Sequence, residues 1–181
     1  MKMGLSDKKD EDIAKLVQSG EIEPFAVLVN RYDEKIKRYG RKFLSGKEDI
    51  EDIAQKVFIN AYKNIQSFDV KRKFSPWLYR IAHNEFINEL KRKKREPFKF
   101  FDLDVVFPHL LAYKEKYGQA TDRSIINKNL DKLSNKYKEI IVLRYFEELS
   151  YKEISDVLEI PISTVGIRLK RGINKLREIY G

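Results

Sequence analysis

Apolar residues recur along most of this chain at steps of three and four with polar residues between them, which is the signature of amphipathic helices and not of strands. Ile13, Leu16 and Val17 predict a helix over 10–19, and Gly20 suits its stop. From Pro24, a favoured first helical residue, Phe25, Leu28, Val29, Tyr32, Ile36, Tyr39 and Phe43 predict a long helix ending around Gly46. Ile50, Ile53, Ala54, Val57, Phe58, Ala61, Tyr62 and Ile65 continue the stepping without a break over 48–65. A fourth helix, set up by Ser75 and Pro76 and running from Pro76 to about Lys94, turns Trp77, Leu78, Ile81, Ala82, Phe86 and Leu90 toward a core. Over 97–122 the period is lost, with two prolines and a mixed apolar and acidic stretch, so this segment reads as a linker. Helices over 122–133 and 134–147 come after it. The expected fold is all-α, with one small helical domain over 10–96 and a second over 123–181.

The most informative stretch is 150–177, SYKEISDVLEIPISTVGIRLKRGINKLR. Ser150 with Glu153 forms a capping box, in which hydroxyl and carboxylate each take one orphan amide of the other residue. Ile154, Val157 and Leu158 give the first helix one apolar face, and Pro161 stops it. Ser163 is placed to cap a second helix on which Val165, Leu169, Ile173 and Leu176 form the buried stripe. Arg168, Lys170, Arg171, Asn174 and Lys175 lie off that stripe. A cation-edged helix held by an apolar stripe suits a major groove, where guanidinium and amide groups read base edges. The stretch is thus a candidate helix-turn-helix with its recognition helix over 163–177. A plain surface hairpin with solvated cations is the competing reading.

Charge supports a polyanionic partner. The 181 residues carry a net charge of +9, and the isoelectric point is about 9.5. No cysteine and only two histidines, His83 and His109, argue against disulfides, thiol nucleophiles and a zinc centre, and no cofactor is expected. The charged N-terminal residues resemble no signal peptide, and no apolar run reaches the roughly 20 residues of a membrane span, so the cytoplasm is the expected address. Two further faces carry candidate chemistry. Along 48–65 the side opposite the apolar stripe presents Asp52, Gln55, Ile59 and Lys63, an isoleucine among polar groups that suits a protein dock. Along 76–94, Arg80, Asn84, Asn88 and Lys91 share the outer face, next to the basic loop FDVKRKF. Amides between cations can hydrogen-bond base edges, and aromatic rings beside cations can stack on unpaired bases. For Trp77 a core role is expected. The block KRKKR over 91–95 repels itself and needs phosphates or carboxylates nearby to stay ordered.

Two separate stretches together resemble one family. DIEDIAQKVFINAYKNIQSFD with FSPWLYRIAHNEFINELKRKKRE is similar to region 2 of bacterial sigma-70 factors, and LDKLSNKYKEIIVLRYFEELSYKEISDVLEIPISTVGIRLKRGINKLRE to region 4. Without an intervening third region, the chain resembles the short extracytoplasmic-function type. The resemblance implies that Asp49, Asp52, Gln55, Lys56 and Ile59 dock on the clamp helices of core RNA polymerase, whose flap is a further contact. It also implies that Phe68, Lys71, Arg72, Lys73, Phe74, Arg80, His83, Asn84, Asn88 and Lys91 capture the single strand of the −10 element. Ser163, Thr164, Ile167, Arg168, Lys170, Arg171 and Asn174 would then read the −35 duplex, with Ile167 placed to touch a thymine methyl. The linker would thread toward the polymerase active centre, and an inhibitory anti-sigma factor is a candidate partner.

Two rival functions compete with a promoter-specificity subunit. A stand-alone duplex-binding regulator would use the C-terminal motif but has no need of the block over 49–95. An enzyme such as a recombinase would need clustered carboxylates, a glycine-rich phosphate loop or a nucleophile with its base. Asp102 with Asp104 is the nearest to such a pair, and alternating acids of this kind are ordinarily solvated.

Overall fold

The computed structural model describes residues 4–95 and 130–180. Seven α-helices, short 3-10 turns and no strand make up the described residues. Two compact units divide the chain, the first taking residues up to Lys93 and the second most of the remainder. The expected linker and nearly all of the helix expected over 122–133 lie outside the described residues. The final residues of that expected helix form a 3-10 turn, Leu130–Lys132.

In the first unit, α1 spans Asp10–Gln18, α2 Pro24–Gly40, α3 Lys47–Lys63 and α4 Phe74–Arg95. Gly20 adopts φ +103°, the left-handed geometry that stops α1. The apolar stripes converge on one core in which Ile13, Leu28, Ile36, Tyr39, Val57, Leu78 and Phe86 are almost fully buried. Each such aliphatic or aromatic side chain contributes about 1.5–3 kcal/mol relative to exposure. Rings meet edge-on at the centre, Tyr39 lying 5.5 Å from Tyr79 and 6.2 Å from Phe86 between centroids.

Three boundaries differ from the pattern's expectation. Helix α2 ends at Gly40, short of Gly46, and a tight turn follows in which the amides of Phe43 and Leu44 both donate to the Gly40 carbonyl at 2.9 Å. That turn delivers Phe43 and Leu44 into the core together. Helix α3 stops at Lys63, and Ile65 belongs to a 3-10 turn, Ile65–Ser67, that still buries it. Helix α4 begins at Phe74, ahead of Ser75 and Pro76, because a partner outside the helix satisfies the Phe74 amide, namely Glu11 Oε1 at 2.9 Å. At the far end, two cations of the KRKKR block meet carboxylates within the unit. Arg92 pairs with Glu89 and Lys93 with Asp49, and the Arg92 guanidinium holds the Glu89 carboxyl below its ordinary range.

In the second unit, α5 spans Asn135–Tyr145, α6 Tyr151–Leu158 and α7 Ile162–Tyr180. Ile140, Ile141 and Leu143 of α5, Ile154 of α6, and Val165, Leu169 and Leu176 of α7 form its core. The crossing of α5 and α7 is close at Gly172, where a Cβ would stand 3.0 Å from Ile141 Cδ1 and 3.3 Å from Tyr137 Cβ.

Candidate nucleic-acid interfaces

The helix-turn-helix is assembled by side-chain to backbone bonds. Ser150 N–H donates to Glu153 Oε2 at 2.7 Å and Glu153 N–H to Ser150 Oγ at 3.3 Å, the reciprocal capping box that starts α6. Its end is a left-handed Glu159 at φ 53°, and Ser155 Oγ donates to the Ile160 carbonyl at 2.6 Å across that turn. Helix α7 starts at Ile162, ahead of the expected cap Ser163. The carbonyl of Pro161 accepts the Val165 amide at 3.1 Å, so Pro161 occupies the boundary and Ser163 lies within the first turn instead of capping it.

With Val165, Leu169, Gly172 and Leu176 buried, the opposite side of α7 presents Ser163, Ile167, Lys170, Arg171 and Asn174 to solvent. Ile167 is 53% exposed, and Thr164 is half-buried beside this face. Arg168 departs from the expectation of a freely offered cation. Its guanidinium lies 3.6 Å from Glu139 Oε1 of α5, and the side chain is only partly exposed. Helical spacing puts Arg168 on the flank of the exposed face, and the carboxylate that claims it comes from another element, which no local pattern reveals. Lys175, on the same flank, lies 6.0 Å from the centre of the Tyr137 ring.

On α4, Arg80, Asn84, Asn88 and Lys91 are all exposed, as the spacing requires, while Leu78, Ala82 and Phe86 are buried. Lys71, Arg72 and Lys73 stand exposed on the loop that precedes it. That loop is folded on Asp69, whose Oδ1 accepts the Lys71 amide at 3.0 Å and whose carbonyl accepts the Arg72 amide at 2.9 Å. Three expected strand-contacting residues do not face solvent. Phe68 and Phe74 are 4% and 1% exposed, and their rings pack edge-on at 5.4 Å. Both also lie against Trp77, at 5.1 and 5.5 Å, which is itself half-buried and not fully in the core. The two phenylalanines are a floor beneath the loop, since core demand for aromatic area outweighs their proximity to cations. His83 is buried as well, with Nδ1 2.9 Å from the Tyr39 hydroxyl. Burial, aided by the charge of Lys91, pushes its pKa down to about 4, so the ring is neutral near pH 7 and offers no cation to a phosphate.

The outer side of α3 presents Asp52, Gln55, Lys56 and Ile59, with Ile59 52% exposed. Asp49 is half-buried and engaged by Lys93. No group of three or more metal-binding side chains occurs among the described residues, and no described helix is long and apolar enough to cross a membrane.

Residues 28–96 match the family model for sigma-70 region 2, and residues 125–176 match that for sigma-70 region 4. The chain belongs to the sigma-70 family of sigma factors. It is 38% identical over 175 residues to the ECF RNA polymerase sigma factor SigW of Bacillus subtilis, which covers 91% of this chain and 92% of the relative. To the ECF RNA polymerase sigma-E factor of Escherichia coli it is 32% identical, over 90% of this chain and 89% of that protein. A solved structure of CnrH with the cytosolic domain of CnrY shares the fold at a TM-score of 0.71 and 24% identity, covering 94% of this sigma factor and 96% of that chain. This places the protein in the extracytoplasmic-function group, as a non-enzymatic initiation factor that directs core RNA polymerase to promoters. A stand-alone regulator is not favoured, because residues 28–96 match region 2 alongside the match to region 4.

The polar residues that hold these faces in place leave no local signal in the sequence. Glu139, Glu11 and Gln18 each act on a segment distant in the chain, and periodicity carries no signal for such partners.

Proposed function

We propose that this sigma factor divides its task among three surfaces: α3 on core polymerase, α4 with its preceding loop on the opened −10 strand, and α7 on the −35 duplex. The domains are assigned as region 2 over 10–96, a linker over 97–122 and region 4 over 123–181, with the cytoplasm as the site of action. The observation that carries the reading is the outward line of Asn84, Asn88 and Lys91 on α4, beside the exposed Lys71, Arg72 and Lys73. Amide groups set among cations on a rigid helix suit an unpaired strand, where bases expose their pairing edges and phosphates supply the charge. On α7, Arg171, Lys170 and Asn174 offer base-edge and phosphate contacts, while Ile167 offers an apolar contact to thymine. On α3, Asp52, Gln55, Lys56 and Ile59 form a mixed polar and apolar dock of the kind protein interfaces use.

The test is reconstitution. The purified chain is expected to co-elute with core polymerase at low salt and to restore promoter-specific transcription to it. Ile59→Asp should abolish co-elution with little change in thermal stability, because the side chain is already solvated. Undiminished co-elution of that variant would exclude α3 as the docking face.

A further inference from the structure

Helix α1 lies ahead of residues 28–96, the segment matched by the region 2 family. Its face carrying Glu11, Ala14 and Gln18, at steps of three and four, meets the segment between α3 and α4. Gln18 Nε2 donates to the carbonyls of Ile65 and Phe68, each at 2.7 Å, and Gln66 Nε2 donates back to the Gln18 carbonyl at 3.0 Å. Glu11 Oε1 accepts the Phe74 amide at 2.9 Å. The basic loop over 69–73 therefore begins and ends on residues held by α1. The helix is itself fixed to α2, since Asp10 accepts Arg31 Nη1 at 2.5 Å and the Tyr32 hydroxyl at 2.6 Å, and Ile13, Ala14 and Val17 are buried.

We propose that α1 is a clamp for single-strand capture, with Glu11 and Gln18 as positioning residues that hold both ends of the 69–73 loop. The inference rests on the reading that this loop meets the −10 strand. A loop that must be ordered on binding loses affinity to that ordering, whereas one already fixed does not. A loosened loop still carries Lys71, Arg72 and Lys73, so phosphate attraction survives. What it loses is the fixed geometry on which discrimination between bases depends.

The test uses full-length sigma factor bound to core polymerase and a fluorescent single-stranded oligonucleotide. The oligonucleotide copies the non-template −10 region of one promoter that the wild-type holoenzyme transcribes, and a scrambled copy is the control. Gln18→Met, which keeps the side chain's bulk without its donor, and Glu11→Ala should each weaken cognate binding about tenfold, the effect of roughly one lost ordering contact. The cognate to scrambled ratio should narrow, while the slope of log affinity against log salt stays at the wild-type value. Glu11→Gln keeps an acceptor for the Phe74 amide and should recover most of the loss. Hydrogen exchange should quicken at the 69–73 amides and not in the core amides of α2 and α3. Wild-type affinity in both Gln18→Met and Glu11→Ala, or exchange rising equally throughout the unit, would overturn the proposal. Lys71→Ala is the separate control: if it leaves oligonucleotide binding untouched, the assignment of the loop to the strand fails, whatever α1 does.

Discussion

The Tyr39 hydroxyl lies 2.9 Å from His83 Nδ1, a buried polar pair joining α2 to α4 behind the face that carries Asn84. A neutral ring can accept the phenol proton, and protonation would leave a charge in the core. Burial first, and the Lys91 charge second, take the His83 pKa from 6.5 down to about 4. The unfolded chain therefore binds this proton at a higher pH than the folded one, and stability falls as pH drops through that window. Urea unfolding at pH 7 and pH 5 should show a loss of about 2 kcal/mol from this group. His83→Gln should flatten that part of the dependence, and an unchanged slope would show that other groups cause it.

Asn84 stands exposed on α4, where an unpaired strand is proposed to lie. Asn84→Ala should slow promoter opening, read by permanganate reactivity of the −10 thymines, by about tenfold, corresponding to one or two lost amide bonds. Binding of the closed duplex should change by less than half that free energy. Equal losses in the two assays would mean that Asn84 acts before the strands part.

Arg171 and Arg168 are neighbours on α7 with different prospects. Arg171 is exposed, whereas Arg168 lies 3.6 Å from Glu139. Arg171→Ala should weaken binding at one −35 sequence by about 1–3 kcal/mol, with a smaller effect on unrelated duplex. Arg168→Ala should have a weaker effect on sequence discrimination and a larger one on thermal stability, because it leaves a mostly buried carboxylate without that partner. Gel-shift titrations beside thermal melts separate the two, and matching profiles would remove the distinction.

Gly40 closes α2 directly against α4. A Cβ there would stand 2.4 Å from Phe86 Cε1 and Cζ, and both residues are buried. Gly40→Ala should destabilise the first unit by about 2 kcal/mol, the usual scale for forcing a methyl into a packed core. Phe86→Leu should cost less in the Gly40→Ala background than in wild type. Additive effects in a denaturant double-mutant cycle would show that the two sites are not in contact.

Much of this architecture is legible in the chain because its causes are local. The stepping of Ile50, Ile53, Ala54, Val57, Phe58 and Ala61 predicts both α3 and the face it buries. The pairing of Ser150 with Glu153 predicts the start of α6 to the residue. The same periodicity puts Asn84 and Asn88 outside, since a residue opposite a buried stripe has nowhere else to go. Boundaries set by distant partners are not legible in this way. Helix α4 starts at Phe74 because Glu11, 63 residues away in sequence, accepts its amide.

For the seven described helices, the amino-acid order alone determined that the segment is helical and most of the stripe it buries, and it determined the helix-turn-helix with its cations, because these depend on neighbours one to seven residues apart. Only tertiary structure decided the fate of side chains whose chemistry suits two roles. Phe68, Phe74 and His83 could stack on bases or fill a core, and Arg168 could meet phosphate or carboxylate. In each case the decision came from another helix, as packing area around the rings and as the Glu139 charge beside the guanidinium.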